Sequence, residues 1–381
     1  CNIVIMSSLI SDANTTNGAK TFSIVTDVGG HSNVKIETTA VAGGGQIAAD
    51  IEEIKFNAPK NYDAQNRCVT VHDYSSIVKR DYSGAESVVS WGGEDNDPPI
   101  YGKVFIAIKP AAGTTLSGST KTFIQDTILA KRNIVGVTPE IKDPDYLYLG
   151  IKSTVKYDST LTTNSAATLK STISDTITTY GTNQLKDFDK AFRYSNLIKQ
   201  IDEAEVSVKS NQTSVTINRY FYPVLGTTAA YNLPFSNEVY HPSNTFWGAV
   251  TSGKFSYRDA ANTLWADCRM QDYDGAVQVY RTVGKDRIVV ANGIGTMTYG
   301  SGKVALVDFK PEAIGSSTTG NTASLIVTVT PSSSDVLPLR EQIILIQSAD
   351  VDVTMVDDTG TGTYVQGSAA TTDGTVISTG Y

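Results

Sequence analysis

The sequence has few of the residues from which metal sites and disulfide frameworks are built. It contains three cysteines and three histidines among its 381 residues, at Cys1, Cys68, Cys268, His31, His72 and His241. Three distant cysteines give neither a disulfide framework nor a zinc pattern, and no two histidines have HxH or HxxxH spacing. We therefore predict no metal site and no cofactor, and the cysteine usage favours a reducing compartment.

Basic residues are also scarce. The chain has 31 Lys and Arg against 39 Asp and Glu, a net charge of −8, and no Lys or Arg follows Arg340. Because no basic stripe could neutralise phosphates, nucleic acid is not expected as a partner. The apolar runs fall far short of the roughly 20 residues that span a bilayer, so no membrane partner is expected either. The first residues lack the basic flank of a signal peptide. Since the chain begins with Cys1 and not Met, we expect an upstream region to be missing.

Sequence patterns typical of enzymes are missing as well. The Gly-rich stretches GGGQ (43–46) and GIGTMTYGSG (293–302) are not followed by Gly-Lys-Ser/Thr, and the chain has no GxSxG nucleophile elbow. No nucleophile and base can be paired by spacing. We therefore predict no catalytic residues, and a hydrolase with scattered catalytic residues is the least favoured hypothesis.

Composition and periodicity instead predict an α+β chain in three regions. Tyr outnumbers Phe by 19 to 11, and Ser, Thr and Gly are abundant, which favours strands and loops. Residues 1–57 are interpreted as the β-rich end of an upstream domain. Residues 58–222 are predicted to form one α+β domain with its own core. Residues 223–381 are predicted to form a β-rich C-terminal domain that ends in a Gly/Thr/Ser-rich tail.

The central region alternates between helical and strand periodicity. Tyr74, Ile77 and Val78 follow Thr70 and Asp73 in capping-box spacing, which predicts a helix. Further helices are predicted in KTFIQDTILAKRN, AATLKSTISDTITTYG and FDKAFRYSNLIKQID, and strands in ESVVSWGG, YGKVFIAIKP, YLYLGIKSTVKYD and SVTINRYFYP. This order predicts one sheet covered by helices. In the C-terminal region the only candidate helix is the short stretch YRDAANTLWADC, and no repeat of fixed period occurs.

The stretch WGGEDNDPPIYG is the most acidic candidate for a binding loop. It places Glu94, Asp95, Asn96 and Asp97 in a row. An EF-hand loop requires a glycine at its sixth position and a glutamate at its twelfth, and proline closes this stretch too early. Because glycine, proline and acidic residues are typical of turns, we interpret the stretch as a stiff connector between two strands that binds no metal.

Several long phrases resemble the baseplate J-like family, which includes the baseplate wedge proteins of T-even-type contractile phages. The stretch AQNRCVTVHDY contains the family's opening phrase, with Arg67, Thr70, Asp73 and Tyr74 in the matching places. Other resembling phrases are SVVSWGGEDNDPPIYGKVFIAIKP, RYSNLIKQIDEAEVSVKSNQT, GIGTMTYGSGKVALVDFKP and TVTPSSSDVLPLREQIILI. The resemblance covers about residues 58–346. It also implies that Cys68, where the family has small apolar residues, packs in a core.

The resemblance implies a structural protein of the phage tail. It implies a homo-oligomer that forms a ring around the central hub of the baseplate, links neighbouring wedges and rearranges when the tail contracts. The expected partners are other copies of the chain, other wedge subunits and the sheath-proximal baseplate protein. The expected location is the virion tail baseplate, after assembly in the host bacterial cytoplasm. No cofactor or catalytic residue is implied.

An aromatic stretch in the C-terminal third is the candidate interface for the expected self-association. Phe246, Trp247, Tyr257 and Trp265 lie within twenty residues that carry few charges. Because Trp and Tyr are enriched at interface cores, we predict that these four form a contact between copies, although each ring could equally fill the β-core. The same rings keep open an alternative function, a receptor- or carbohydrate-binding tail protein that stacks sugars.

Overall fold

The structure is a computed structural model that describes residues 51–359, apart from 52–54, 56, 57, 60, 61, 63, 64, 97, 244 and 316–323. The predicted strands of residues 1–57 therefore lie outside the described residues, except for Ile51 and Lys55, which are helical. The Gly/Thr/Ser-rich tail from residue 360 onward also lies outside them. Among the described residues, no helix is both long and apolar enough to cross a membrane.

The described chain combines helices with many strands, which confirms the α+β class. After residue 65 the helices are α1 (Val71–Asp81), α2 (Gly118–Phe123), α3 (Ala166–Gln184) and α4 (Tyr194–Asp202), and α2 continues as a π-helix over Ile124–Leu129. Single 3-10 turns occupy Gly93–Asp95 and Ser348–Asp350. The strands of the first 225 residues are β1 (Ala85–Gly92), β2 (Lys103–Pro110), β3 (Thr138–Lys142), β4 (Asp145–Tyr157) and β5 (Val208–Phe221).

The strands of the later residues are more numerous. They are β6 (Ala229–Pro234), β7 (Trp247–Ser252), β8 (Phe255–Arg258), β9 (Leu264–Tyr273), β10 (Ala276–Val283), β11 (Asp286–Thr298), β12 (Lys303–Phe309), β13 (Pro311–Ile314), β14 (Leu325–Val329), β15 (Gln342–Leu345) and β16 (Val351–Asp357).

The chain divides into two compact units at positions that differ from the predicted domain boundaries. The first unit contains the described residues up to Leu147 together with Gln184–Phe192 and Leu337–Leu345. The second unit contains the described residues of Tyr148–Asn183 and Arg193–Val336 and those from Ile346 to Thr359. The predicted domain over 58–222 thus spans parts of both units, and the predicted region 223–381 likewise contributes described residues to both. The reason is strand pairing, because β4 and β5 share one sheet with strands that lie more than a hundred residues later.

The first unit is built around a three-stranded sheet in the order β1-β2-β3. β1 and β2 are antiparallel, with Trp91 opposite Phe105, and β3 is parallel to β2. Because side chains alternate along a strand, β2 buries Val104, Ile106 and Ile108 in a core with α1 and the π-helix. Its other face buries Phe105 and Ala107 in a second core, which contains Trp91, Phe188 and Ile343. Burial on both faces explains the continuous apolar run VFIAI.

Helix α1 forms where the sequence predicts it. Asp73 Oδ2 accepts a hydrogen bond from the Thr70 backbone N–H at 2.7 Å, which satisfies a free donor at the start of the helix. Tyr74, Ile77 and Val78 are its buried residues. Cys68 lies in the same core.

The second unit contains a large sheet in the order β4-β5-β14-β7-β9-β10-β11-β12-β6. β16 pairs with β4 in parallel, from Val351 opposite Ile151 to Asp357 opposite Tyr157. β8 pairs with β9, and β13 pairs with β8. Helix α3 buries the predicted residues Leu169, Ile173, Ile177 and Tyr180.

Three local predictions are wrong. YRDAANTLWADC is not helical, because its second half is the start of β9, paired with β8. In FDKAFRYSNLIKQID the helix begins only at Tyr194, and Phe188 packs in the first unit. Helix α3 does not end at Gly181 but continues to Gln184. A Cβ at Gly181 would lie 3.0 Å from the Cβ of Ile346, so glycine at this position lets Ile346 pack closely against α3.

Candidate assembly surface

The structure separates the four aromatic residues that the sequence predicts as an interface. Trp247 is exposed, with 55% of its surface accessible, whereas Tyr257 is 7% accessible. Tyr257 stacks on Phe309 with ring centroids 6.2 Å apart, and burial raises the pKa of its phenol. Phe246 is half-buried and makes an edge contact with Tyr240. Trp265 is half-buried as well. Tyr257 therefore belongs to the core of the second unit, and the two tryptophans flank a feature that the sequence analysis missed.

That feature is the tip of the β10–β11 hairpin, residues 280–289, which we call the arm. Its pairs are Tyr280 with Val289, Arg281 with Ile288, Thr282 with Arg287 and Val283 with Asp286. The register between β9 and β10 ends at Tyr280, and the register between β11 and β12 begins only at Gly295. In the described part of the chain the arm therefore continues past the strands that flank its base.

The two tryptophans lie against opposite faces of the arm. The guanidinium carbon of Arg287 lies 3.7 Å from the ring centroid of Trp247 and 4.2 Å from that of Tyr280. The guanidinium carbon of Arg281 lies 5.5 Å from the ring centroid of Trp265. Paired residues of a hairpin share a face and neighbours in sequence alternate, so Arg281 and Arg287 occupy different faces. Each stack contributes about 0.5–2 kcal/mol, depending on how well water is excluded.

Trp247 is positioned by a buried carboxylate. Asp272 is fully buried in β9, and its Oδ1 accepts hydrogen bonds from the backbone N–H groups of Gly248 at 3.0 Å and Val250 at 2.9 Å. Its Oδ2 accepts from the hydroxyl of Tyr299 at 2.8 Å. Burial, together with the hydrogen bond to Asp272, raises the pKa of Tyr299 to about 12. Since buried polar groups must be hydrogen-bonded, this network fixes the first residues of β7 and with them Trp247.

The arm combines exposed apolar and basic side chains. Val283, Ile288 and Val289 are exposed. Three bases, Arg281, Lys285 and Arg287, and one acid, Asp286, give it a formal charge of +2. An exposed hairpin with β-branched residues on both faces is suited to packing against another protein surface. The signal in the sequence is the Gly-Lys dipeptide between the β-branched runs VYRTV and DRIVV, which is typical of a two-residue hairpin turn.

The acidic stretch connects β1 to β2. Its first residues form the 3-10 turn Gly93–Asp95, and Asn96 Oδ1 accepts a hydrogen bond from Trp91 Nε1 at 3.0 Å. Asp95 lies 3.3 Å from the guanidinium of Arg340. A Cβ on Gly93 would lie 1.9 Å from the Ile100 carbonyl oxygen, so only glycine fits this turn. Asp97 lies outside the described residues.

The described ranges contain two cysteines and, as further potential metal ligands, His, Asp and Glu side chains. No group of three or more His, Cys, Asp or Glu side chains there is placed to hold a metal ion. Cys68 and Cys268 are buried, and burial raises the pKa of each thiol to about 11. A nucleophilic cysteine requires the opposite shift, because the thiolate is the reactive form.

Comparisons with known proteins agree with the resemblance found in the sequence. Residues 70–142 match the family model of baseplate structural protein gp6, C-terminal domain I, and residues 145–220 match that of C-terminal domain III. The chain is 26% identical over 262 residues to baseplate wedge protein gp6 of Enterobacteria phage T4. The resemblance to the baseplate wedge proteins is confirmed. The alignment covers 68% of this chain and 37% of that wedge protein, so the chain spans little more than a third of its relative's length.

The two matched wedge-protein domains meet where the structure changes unit. The first match ends at residue 142 and the second begins at residue 145, next to the boundary between Leu147 and Tyr148. A solved structure of the anti-feeding prophage baseplate is also similar, with 14% identity and a TM-score of 0.31 over 45% of this chain and 39% of that chain. A TM-score of this size does not establish a shared fold.

Proposed function

We propose that the chain is a structural subunit of the baseplate wedge of a contractile phage tail. In this proposal it forms, in several copies, the ring around the central hub, links neighbouring wedges and rearranges when the tail contracts. The observation that carries the proposal is the pair of adjacent matches to gp6 C-terminal domains, over residues 70–142 and 145–220.

The same proposal assigns partners and location. The partners are other copies of the chain, other wedge subunits and the sheath-proximal baseplate protein, and neither nucleic acid nor a membrane is among them. The subunit is located in the virion tail baseplate after assembly in the host cytoplasm, and it is not an enzyme. A structural role is supported because the relative is a baseplate wedge protein and because both described thiols are buried and their pKa values are raised.

We further propose that the C-terminal third contributes a contact between copies through Trp247, Trp265 and the arm. This revises the four-residue interface, because Tyr257 fills the core and Phe246 packs against Tyr240. The support is the exposed set of Trp247 and three aliphatic residues in one hairpin region. Tryptophan and arginine are the residues most enriched among the energetically dominant positions of interfaces.

The alternative, a carbohydrate-binding tail protein, is less well supported. Sugar binding by stacking needs an open aromatic face. The guanidinium of Arg287 already covers one face of Trp247, with its carbon 3.7 Å from the ring centroid. The guanidinium of Arg281 lies over the ring of Trp265. A glycan array with the purified chain tests this alternative directly, and specific binding at micromolar concentration would favour it over the wedge role.

Electron microscopy of purified tails tests the wedge role itself. Antibody fragments or a fused tag would label the subunit in tails isolated before and after contraction. We expect label in a ring at the baseplate around the hub, at a different radius in the two states. Label at fibre tips, or its absence from the tail, would contradict the proposal.

A further inference from the structure

The arm has a counterpart of opposite charge on another surface of the second unit. Helix α4 borders a shallow groove of about 430 Å³, lined by Tyr194, Ser195, Ile198, Lys199, Asp202 and Glu203. Tyr194 and Ile198 are half-buried and provide apolar contact area, while Asp202 and Glu203 are exposed. Val206, just beyond the helix, is 88% accessible. The groove therefore combines an apolar floor with an acidic end.

The charges of the two surfaces are complementary. Of the ionic residues that line the groove, Asp202 and Glu203 are acidic and Lys199 is basic, so the groove carries a formal charge of −1. The arm carries +2, although the whole chain is acidic. Two of the groove's ionic groups are only weakly engaged with each other, because Lys199 Nζ lies 3.9 Å from Glu203 Oε1 and both side chains are largely exposed. An exposed pair of this kind contributes little to stability and can be rearranged by an incoming base.

We propose that the arm of one copy docks in the α4 groove of a second copy. In this contact Val283, Ile288 or Val289 covers the apolar floor formed by Tyr194 and Ile198, and Lys285 at the tip meets the acidic end at Glu203. The inference rests on the proposed self-association and deepens it, since it names the two surfaces that meet. A second copy is the expected occupant, because this chain carries both a basic hairpin with exposed aliphatic side chains and an acidic groove.

The contact joins two different surfaces, which has a consequence for assembly. A contact of this kind is heterologous, so each bound copy keeps one free arm or one free groove. Such copies add one after another until the rotation closes a ring or an open filament forms. Symmetric pairing of two arms would instead stop at a dimer.

Charge reversal in the full 381-residue chain tests the proposal. The variants are Lys285→Glu, Glu203→Lys and the double variant, with Lys170→Glu on the exposed face of α3 as the matched control. Sedimentation velocity over a concentration series measures association, and circular dichroism checks that each variant is folded. Because like charges then face each other, each single variant should weaken association by about tenfold or more, which corresponds to about 1.4 kcal/mol.

The double variant decides between this contact and others. Restored association in Lys285→Glu/Glu203→Lys, with Lys170→Glu unchanged throughout, is the expected result. If Glu203→Lys associates like the wild type, the arm does not meet this groove. The same holds if the double variant loses as much association free energy as the two single variants together. A wild-type chain that stays monomeric at every concentration also overturns the inference. The wedge role would stand apart from that outcome, because labelling of tails tests it independently.

Discussion

At the scale of single residues, two arginines that lie on tryptophan rings distinguish the arm from an ordinary surface hairpin. Arg287 lies between Trp247 and Tyr280, and burial lowers the pKa of its guanidinium. Arginine keeps its charge in such a site because its ordinary pKa is above 12. The arm therefore presents a fixed positive charge next to apolar side chains, an arrangement that favours recognition of an acidic and partly apolar surface.

The Asp272 network gives a prediction about stability. Replacing Tyr299 by Phe keeps the ring stacked on His241, at a centroid distance of 3.7 Å, but removes the hydroxyl. That hydroxyl donates to Asp272 Oδ2 and accepts from the Gly275 N–H at 3.0 Å. Buried groups that lose a partner cost about 1–3 kcal/mol, so urea unfolding of Tyr299→Phe should show a loss of this size. The exposed Tyr273→Phe is the control, and an equal loss there would show that the network is not the cause.

The buried thiols give a prediction about pH. Burial raises the pKa of Cys68 and Cys268 to about 11 from an ordinary 9.0, so the folded state keeps these protons longer than the unfolded state does. The stabilisation is therefore complete below pH 9 and is lost as the pH rises from 9 to about 11. In a Cys1→Ser variant, Ellman's reagent at pH 8 should react with both thiols only as fast as the chain opens. A rapid stoichiometric reaction with the folded chain would contradict this.

At the scale of elements, glycines in β11 show why a Gly-rich stretch need not be a ligand loop. The stretch GIGTMTYGSG lies in β11 and in the turn to β12. A Cβ on Gly295 would lie 2.3 Å from the carbonyl oxygen of Ala305 in the neighbouring strand. Gly302 has φ 61°, a conformation that other residues rarely adopt. These glycines are required by close strand packing and by a turn.

Substitution at one of these glycines should have a large effect. Gly295→Ala forces the added methyl group into the backbone of β12, and overpacking of this kind costs about 1–3 kcal/mol or more. Gly300→Ala is the matched control, since its Cβ would meet no atom within 4 Å. Thermal unfolding of both variants provides the measurement. Similar melting temperatures would show that β11 and β12 can separate without loss.

The sequence predicted those elements whose signal is local. The i, i+3, i+4 pattern located α1 with Tyr74, Ile77 and Val78, and alternation located β4, in which Leu149, Ile151 and Val155 are buried. The short strand β3 was missed, because TPEIK has little alternation and contains a proline. Trp247 and Trp265 were found from composition alone. The arm between them was missed, since only pairing with neighbouring strands shows that a hairpin continues beyond its sheet.

At the scale of the whole molecule, neither unit is continuous in sequence. Ile343 is part of a core of the first unit. In the second unit β4 pairs with β16, with Ile151 opposite Val351. Sequence periodicity contains no information on such distant pairing, which is why the predicted boundary at 222/223 differs from the observed division. A chain that ends near residue 225 would lack β14, one of the two strands that pair with β5, and is therefore unsuited to testing self-association.

Two smaller C-terminal deletions test whether the second unit depends on β16. A chain that ends at residue 345 loses β16 and Ile346, which exposes the edge of β4 from Ile151 to Tyr157 and the surface of α3 at Gly181. We expect a lower melting temperature and aggregation through the open strand edge. A chain that ends at residue 359 keeps all the described strands and serves as the control. Equal calorimetric transitions in the two chains would show that β16 does not support the second unit.

The pairing of β4 with β16 also determines when the protein can fold during its synthesis. Val351 leaves the ribosome 351 − 151 = 200 residues after its partner Ile151. At translation rates of about 5–20 residues per second, β4 waits roughly 10–40 s for that strand. During this interval the nascent chain must keep an apolar strand edge covered by chaperones or by transient local structure. A chain whose translation stops before β16 therefore cannot complete the second unit.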